Sequence, residues 1–93
     1  MQMCRNLALD FASDDIRVNS ISPGTIFTRA SRDHMAQAGM TEDEFRSQEG
    51  SKCVLQRVGE AEEMGECAAF LCSPRSSYVT GSDLRADGGL VIV

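Results

Sequence analysis

A proline-glycine pair interrupts the stretch Ile16-Arg17-Val18-Asn19-Ser20-Ile21-Ser22-Pro23-Gly24-Thr25-Ile26-Phe27-Thr28. What this stretch offers chemically is backbone. In open parallel sheets, ligands bind in the loops that leave the carboxyl ends of strands. A sharp turn there brings amides and carbonyls close to a ligand. The stretch therefore suggests a nucleotide-binding α/β enzyme. Ser22-Pro23-Gly24-Thr25 reads as a type II turn, with Pro fixing φ at the first central position and Gly accepting positive φ at the second.

The other reactive groups form no constellation. Cys4, Cys53, Cys67 and Cys72 include no C-x-x-C pair, and the single His34 has no Cys or His near it in sequence. No zinc site is expected from those spacings. The cysteines read as reduced and buried in a cytosolic protein. Glu60, Glu62 and Glu63 stand in a first helical turn, where the helix dipole favours negative charge. They read as helix-starting charges, not as a metal or catalytic cluster.

The 93 residues make at most one small domain. Such a chain buries only about 60–65% of its unfolded surface. Nine basic against fourteen acidic residues give a net charge of −5, and Lys52 is the sole lysine. Without a basic patch, neither nucleic acid nor an anionic membrane is an expected partner. No apolar run approaches the roughly 20 residues that cross a bilayer, and the N-terminus does not read as a signal peptide.

The elements that must position the turn follow from periodicity. Met1 to Ala12 is helical, with Cys4, Leu7, Ala8, Phe11 and Ala12 on one apolar face. It begins without a capping residue. Ile16 to Ile21 is the strand candidate, apolar on both sides. Thr28 to Gly50 is polar and helical, with stops at Gly39 and Gly50 and a capping box at Thr41 and Glu44. Its large apolar residues are few: Met35, Met40 and Phe45. It is expected to pack weakly, either as a lid or as a solvated excursion. Val54 to Gly59 reads as a connector. Glu60 to Cys72 is the clearest helix, with a buried stripe of Met64, Cys67, Ala68, Leu71 and Cys72. Tyr78 to Gly81 leads into a last strand, Ser82 to Ala86, and Asp87-Gly88-Gly89 is a turn. Leu90 to Val93 is a short apolar tail. Two parallel strands joined by a crossover make half of a doubly wound α/β fold.

The ordered set of pieces resembles the C-terminal portion of the short-chain dehydrogenase/reductase family. The matching residues are Leu7-Ala8-Leu9-Asp10, Ile16 through Gly24, Ile26 and Thr28, Arg57-Val58-Gly59, Glu62-Glu63, Phe70-Leu71, Tyr78-Val79-Thr80-Gly81 and Asp87-Gly88-Gly89. The resemblance implies a partial Rossmann-type domain over residues 1–93, acting on alcohols or carbonyls with NAD or NADP. It implies that Pro23 and Gly24 shape a cofactor loop, that the Ile26 backbone bonds the nicotinamide carboxamide, and that Thr28 touches the carboxamide or pyrophosphate. Residues 29–52 become the substrate loop, with Phe27, Arg29, His34 and Met35 as candidate substrate-side residues. For these residues the plainer readings are core packing for Phe27, surface charge for Arg29 and Arg32, and a solvated side chain for His34. Asn19 becomes a structural residue of the strand.

The chain departs from the family's pattern in two places. It contains no G-x-x-x-G-x-G turn and no Tyr-x-x-x-Lys pair. Tyr78, the single tyrosine, is read as packing under the following strand. The family's catalytic helix would run directly into Met1. The chain therefore reads as a fragment, inactive by itself, for which no catalytic residue and no metal ligand is assigned. The alternatives are a non-catalytic association module, through the first helix and the tail, or a poorly folded remnant. A cytoplasmic, homo-oligomeric enzyme of small carbonyl or alcohol substrates is the full-length expectation.

Overall fold

The computed structural model of the chain describes residues 2–90. Helix α1 (Gln2–Phe11) passes through a 3-10 turn (Ala12–Asp14) to strand β1 (Ser20–Pro23). Strand β2 (Ile26–Phe27), helices α2 (Arg29–Ala38) and α3 (Glu42–Gly50) and strand β3 (Gly59–Glu60) follow. Helix α4 (Ala61–Cys72), a second 3-10 turn (Pro74–Ser76) and strand β4 (Asp83–Ala86) complete the order. β1 and β4 run parallel, from Ser20 opposite Asp83 to Pro23 opposite Ala86. This is the parallel pair joined through helices that a partial doubly wound fold requires. A second parallel pair joins β2 to β3, where the sequence suggested only the end of a connector at Gly59 and the start of a helix at Glu60.

The ladder begins at Ser20, later than the Ile16 expected. The reason is Arg17. Its guanidinium donates to Ser76 Oγ at 3.0 Å, to the Val79 carbonyl at 3.1 Å and to the Ser73 carbonyl at 3.2 Å. Asn19 also donates to the Val79 carbonyl, and its Oδ1 accepts the Ser82 amide at 3.0 Å. Residues 17–19 thus hold the turn before β4, the Val18 carbonyl also accepting the Gly81 amide at 2.7 Å, and the regular ladder starts beyond them. Asn19 does serve as a structural residue, just ahead of the strand.

The type II turn is absent. Pro23 closes β1 opposite Ala86, and Gly24 is not among the glycines with positive φ. The Gly24 amide instead extends the pairing, donating to the Ala86 carbonyl at 3.1 Å. Proline is tolerated at the strand's exposed end, where its missing N–H interrupts little.

Phe27, Phe45 and Val58 form the buried cluster, with Met35 and Met40 packed against it. The segment expected to pack weakly therefore contributes Phe45, Met35 and Met40 to the core. Gly39 stops α2 at φ 69°, and its amide returns to the Met35 carbonyl. Thr41 and Glu44 form the capping box of α3, at 3.1 and 3.0 Å. The two helices fold back together, and the rings of Phe27 and Phe45 meet edge to face with centroids 6.1 Å apart.

Elsewhere burial is shallower than the apolar pattern suggested. No residue of α4 is fully buried, Cys72 is exposed, and of α1 only Ala8 is buried. Cys53 is the one buried cysteine, and all four are free. Tyr78 is wholly exposed, not packed beneath β4. Its neighbours explain this: the Val79 carbonyl and the Thr80 hydroxyl are held by Arg17, Asn19 and Val18, which leaves the ring outside. A two-stranded sheet also offers little to bury against. The radius of gyration is 16.1 Å, against about 12 Å for a compact chain of this length. No helix among the described residues is long and apolar enough to cross a membrane. Met1 of the first helix and Val91–Val93 of the apolar tail lie outside the described residues.

Candidate functional site

β1 and β4 end side by side, and the loops leaving them touch. The β4 loop is tight: Asp87 Oδ1 accepts the Gly89 amide at 2.9 Å, and the Leu90 amide reaches the Asp87 carbonyl at 3.1 Å. Gly88 and Gly89 take φ of 63° and 87°, as the expected turn requires. The β1 loop runs on into β2, where the Thr25 carbonyl accepts the Gly59 amide at 2.9 Å. In a parallel ladder, successive residues turn their amides and carbonyls to opposite sides. Ile26 therefore presents its N–H and C=O away from β3.

Thr28 is the N-cap of α2, in extended conformation. Its amide donates to Ser31 Oγ at 2.6 Å. The Ser31 hydroxyl lies 2.9 Å from the Thr28 carbonyl and 3.2 Å from the Ile26 carbonyl, and donates to one of them. Buried Ser31 thereby fixes the backbone from Ile26 to Thr28. It was not singled out from sequence. The signal was present as Thr28-x-x-Ser31, the spacing of a capping box.

Pro23, Gly24, Ile26 and Thr28 thus fall in one run along the carboxyl edge. The candidate substrate-side residues divide. Phe27 is buried, and Met35 packs against the core beneath it. Arg29 and His34 are exposed on α2, with the His34 ring 6.5 Å from that of Phe45. Two guanidiniums cover Phe27, that of Arg46 at 4.3 Å and that of Arg32 at 5.4 Å from the ring centroid.

Beside this run lies a cavity of about 400 Å³, lined by Thr25, Ile26, Leu55, Met64, Cys67 and Ala86 among others. That size lies in the range of small-ligand sites. Of the sequence-derived site residues only Ile26 lines it. Arg57 and Glu63 stand at the same cavity, joined by two bonds of 2.8 Å. The Arg57 guanidinium, with the Glu60 amide, lowers the Glu63 carboxyl to about 2. Glu63 is thus a helix-starting charge, as read from sequence. On the ladder itself, the Ser20 and Ser22 hydroxyls both donate to Asp83 Oδ1 at 2.8 Å and hold that carboxyl below its ordinary value. The arrangement presents a peptide edge beside an apolar wall, which suits a flat, amide-bearing ring.

The family described as "Enoyl-(Acyl carrier protein) reductase" matches residues 1–91. A tropinone reductase homolog of Arabidopsis thaliana is 43% identical over 91 residues, covering 98% of this chain and 32% of its own. A short chain dehydrogenase family protein from Francisella tularensis superposes with a TM-score of 0.85 at 34% identity, over 99% of this chain and 40% of its own. The structure of 4-hydroxyisoleucine dehydrogenase complexed with NADH superposes with a TM-score of 0.83 at 28% identity, over 99% and 36%. The chain spans about a third of the length of the curated relatives it matches. With the parallel β1–β4 pair and a family match running through residue 91, the chain belongs to the short-chain dehydrogenase/reductase family.

Proposed function

We propose that these residues form the nicotinamide-facing and substrate-facing part of a single Rossmann-type domain in an NAD(P)-dependent oxidoreductase that interconverts alcohols and carbonyls. One observation carries the reading: the Gly24–Thr28 run lies along the carboxyl edge of the strands with the Ile26 peptide groups turned away from β3. The fit to the cofactor is one of chemistry. A carboxamide needs one donor and one acceptor; the Ile26 amide offers the donor, and its carbonyl, which the Ser31 hydroxyl also approaches at 3.2 Å, offers a second lone pair as acceptor. Ile26 would hold the carboxamide, Thr28 the carboxamide or pyrophosphate, and Pro23 and Gly24 would shape the loop. NAD or NADP supplies the hydride when bound. Residues 29–52 would face the substrate, a small carbonyl or alcohol, with Phe27 and Met35 setting the floor and Arg29 and His34 the exposed side. The NADH complex of a relative supports this choice of cofactor. The full-length enzyme is read as a cytoplasmic homo-oligomer.

These 93 residues contain neither the glycine-rich turn nor Tyr-x-x-x-Lys. Hydride transfer by them alone is not expected. Titration of the chain with NADH and with NADPH, followed by amide chemical shifts, tests the reading. Shifts centred on Ile26 and Thr28, without turnover of ketones, are expected. Saturating nucleotide that leaves residues 23–28 unmoved would sink the assignment, and turnover would sink the view that the chain is inert.

A second reading, an association module, is favoured by one observation. Met3 and Leu9 of α1 are 74% and 77% exposed, with Phe11 and Ile16 also open. Sedimentation across concentrations decides it; a monomer at every concentration argues against association.

A further inference from the structure

We propose that Arg46 is a positioning residue that clasps the α2–α3 pair to the Ile26–Thr28 edge. The argument rests on one rung of the β2–β3 ladder, where Phe27 stands opposite Glu60. Arg46, from α3, engages both members of that rung. Its guanidinium lies over the Phe27 ring at 4.3 Å, and its Nη1 donates to Glu60 Oε1 at 2.6 Å. Nε donates to Glu42 Oε2 at 2.9 Å, one turn back on the same helix. That third contact orients the guanidinium plane and leaves Nη1 to Glu60. Among the described ion pairs, Arg46–Glu60 is the one that joins α3 to a strand.

The chemistry requires arginine. A planar guanidinium can stack on a ring and donate to two carboxylates at once, whereas an ammonium is a point charge on a flexible stem. Arg46 is 32% exposed and Glu60 42%. Solvent therefore screens the ion pair, and the stack shares the work of holding. Phe27 lies between Ile26 and Thr28. Loosening Arg46 thus frees the α2–α3 pair and the Phe27 ring together, and changes how far the segment opens over the edge. Arg46 is in this sense a determinant of substrate access. That consequence rests on the nicotinamide reading given above; the clasp itself does not.

Amide hydrogen exchange of the whole chain without nucleotide tests the clasp separately from cofactor binding. In Arg46→Gln, exchange of amides in residues 29–50 is expected to quicken about three- to tenfold, the range for a partly exposed charge network and stack. Amides of β1 and β4 in the same molecule serve as the reference and should not change. Arg46→Lys should recover only part of the protection. Glu60→Gln should quicken exchange in the parent chain but add little on top of Arg46→Gln, because the two share one interaction. Equal loss in both regions, no loss at 29–50, full rescue by lysine, or additive effects of the two substitutions would each overturn the proposal. A parent chain with no protection at 29–50 would overturn it as well.

Discussion

Asp87 occupies the space that a side chain on Gly24 would need. A β-carbon at Gly24 would stand 2.8 Å from both the Cα and the Cβ of Asp87. The contact follows from the ladder: Pro23 opposes Ala86, so the next residue of each strand meets the other as the two loops diverge. Backbone cannot swing aside as a side-chain tip can. Gly24→Ala should therefore force the loops apart and cost about 1–3 kcal/mol, the range for overpacking. The urea midpoint measures the cost, and amide shifts at residues 86–88 should report the displacement. An alanine variant of unchanged stability would show that the two loops are not held together.

Gly39 provides the contrasting case. Nothing lies within 4 Å of a β-carbon placed there, but φ is +69°. Gly39→Ala should cost about 1 kcal/mol through backbone strain alone, and Gly39→Asn should cost less because asparagine tolerates that region. Gly59→Ala meets only the Ile26 Cδ1 tip, at 2.7 Å. A side-chain tip can turn away, so this variant should be milder than Gly24→Ala. The three urea midpoints, ranked in one buffer, separate steric contact from strain.

What could be read from sequence was local. The Thr41–Glu44 capping box, the Gly39 stop and the helix that ends at Cys72 each depend on residues within a few positions of one another. The start of β1 was misplaced because Arg17 acts on carbonyls more than fifty residues away. Tyr78 was misjudged for a related reason: whether an aromatic ring is buried depends on what lies beneath it, and the neighbouring backbone was already held by residues 17–19. Core packing was one reading of Phe27, but its joining with Phe45 and Val58 was not legible, because the three are far apart in sequence and too sparse for a periodic signal. Ser31 and Arg46 matter through carbonyls, a ring and a carboxylate that only the fold brings near.

The Arg57–Glu63 pair makes stability depend on pH in a definite direction. The folded carboxyl titrates at about 2, against an ordinary value of 4.5. A depressed value means that the ionised form is favoured by folding, so the contribution is present above pH 4.5 and is lost as pH falls toward 2. Carboxyl chemical shifts of Glu63 should show a midpoint near 2, moving up toward 4.5 in Arg57→Gln. The parent chain should lose stability between pH 4.5 and 2 more steeply than Arg57→Gln does. A Glu63 midpoint already near 4.5 in the parent would rule out the ion pair in solution.

Arg17 and Ser76 should prove energetically coupled. Ser76 is 1% exposed, and its hydroxyl accepts from Arg17 while lying 2.8 Å from the Phe70 carbonyl, to which it can donate. Removing the guanidinium leaves the Ser73 and Val79 carbonyls without that donor. Arg17→Met should cost about 1.5–3 kcal/mol, the range for hydrogen bonds to a charged group. Ser76→Ala should cost about 1–2 kcal/mol, and the double variant less than the sum. Arg17→Lys should behave nearly as Arg17→Met, since one ammonium cannot match the fork that reaches three acceptors. Additive losses would mean that the turn before β4 holds itself without Arg17, and the late start of the β1 ladder would then need another cause.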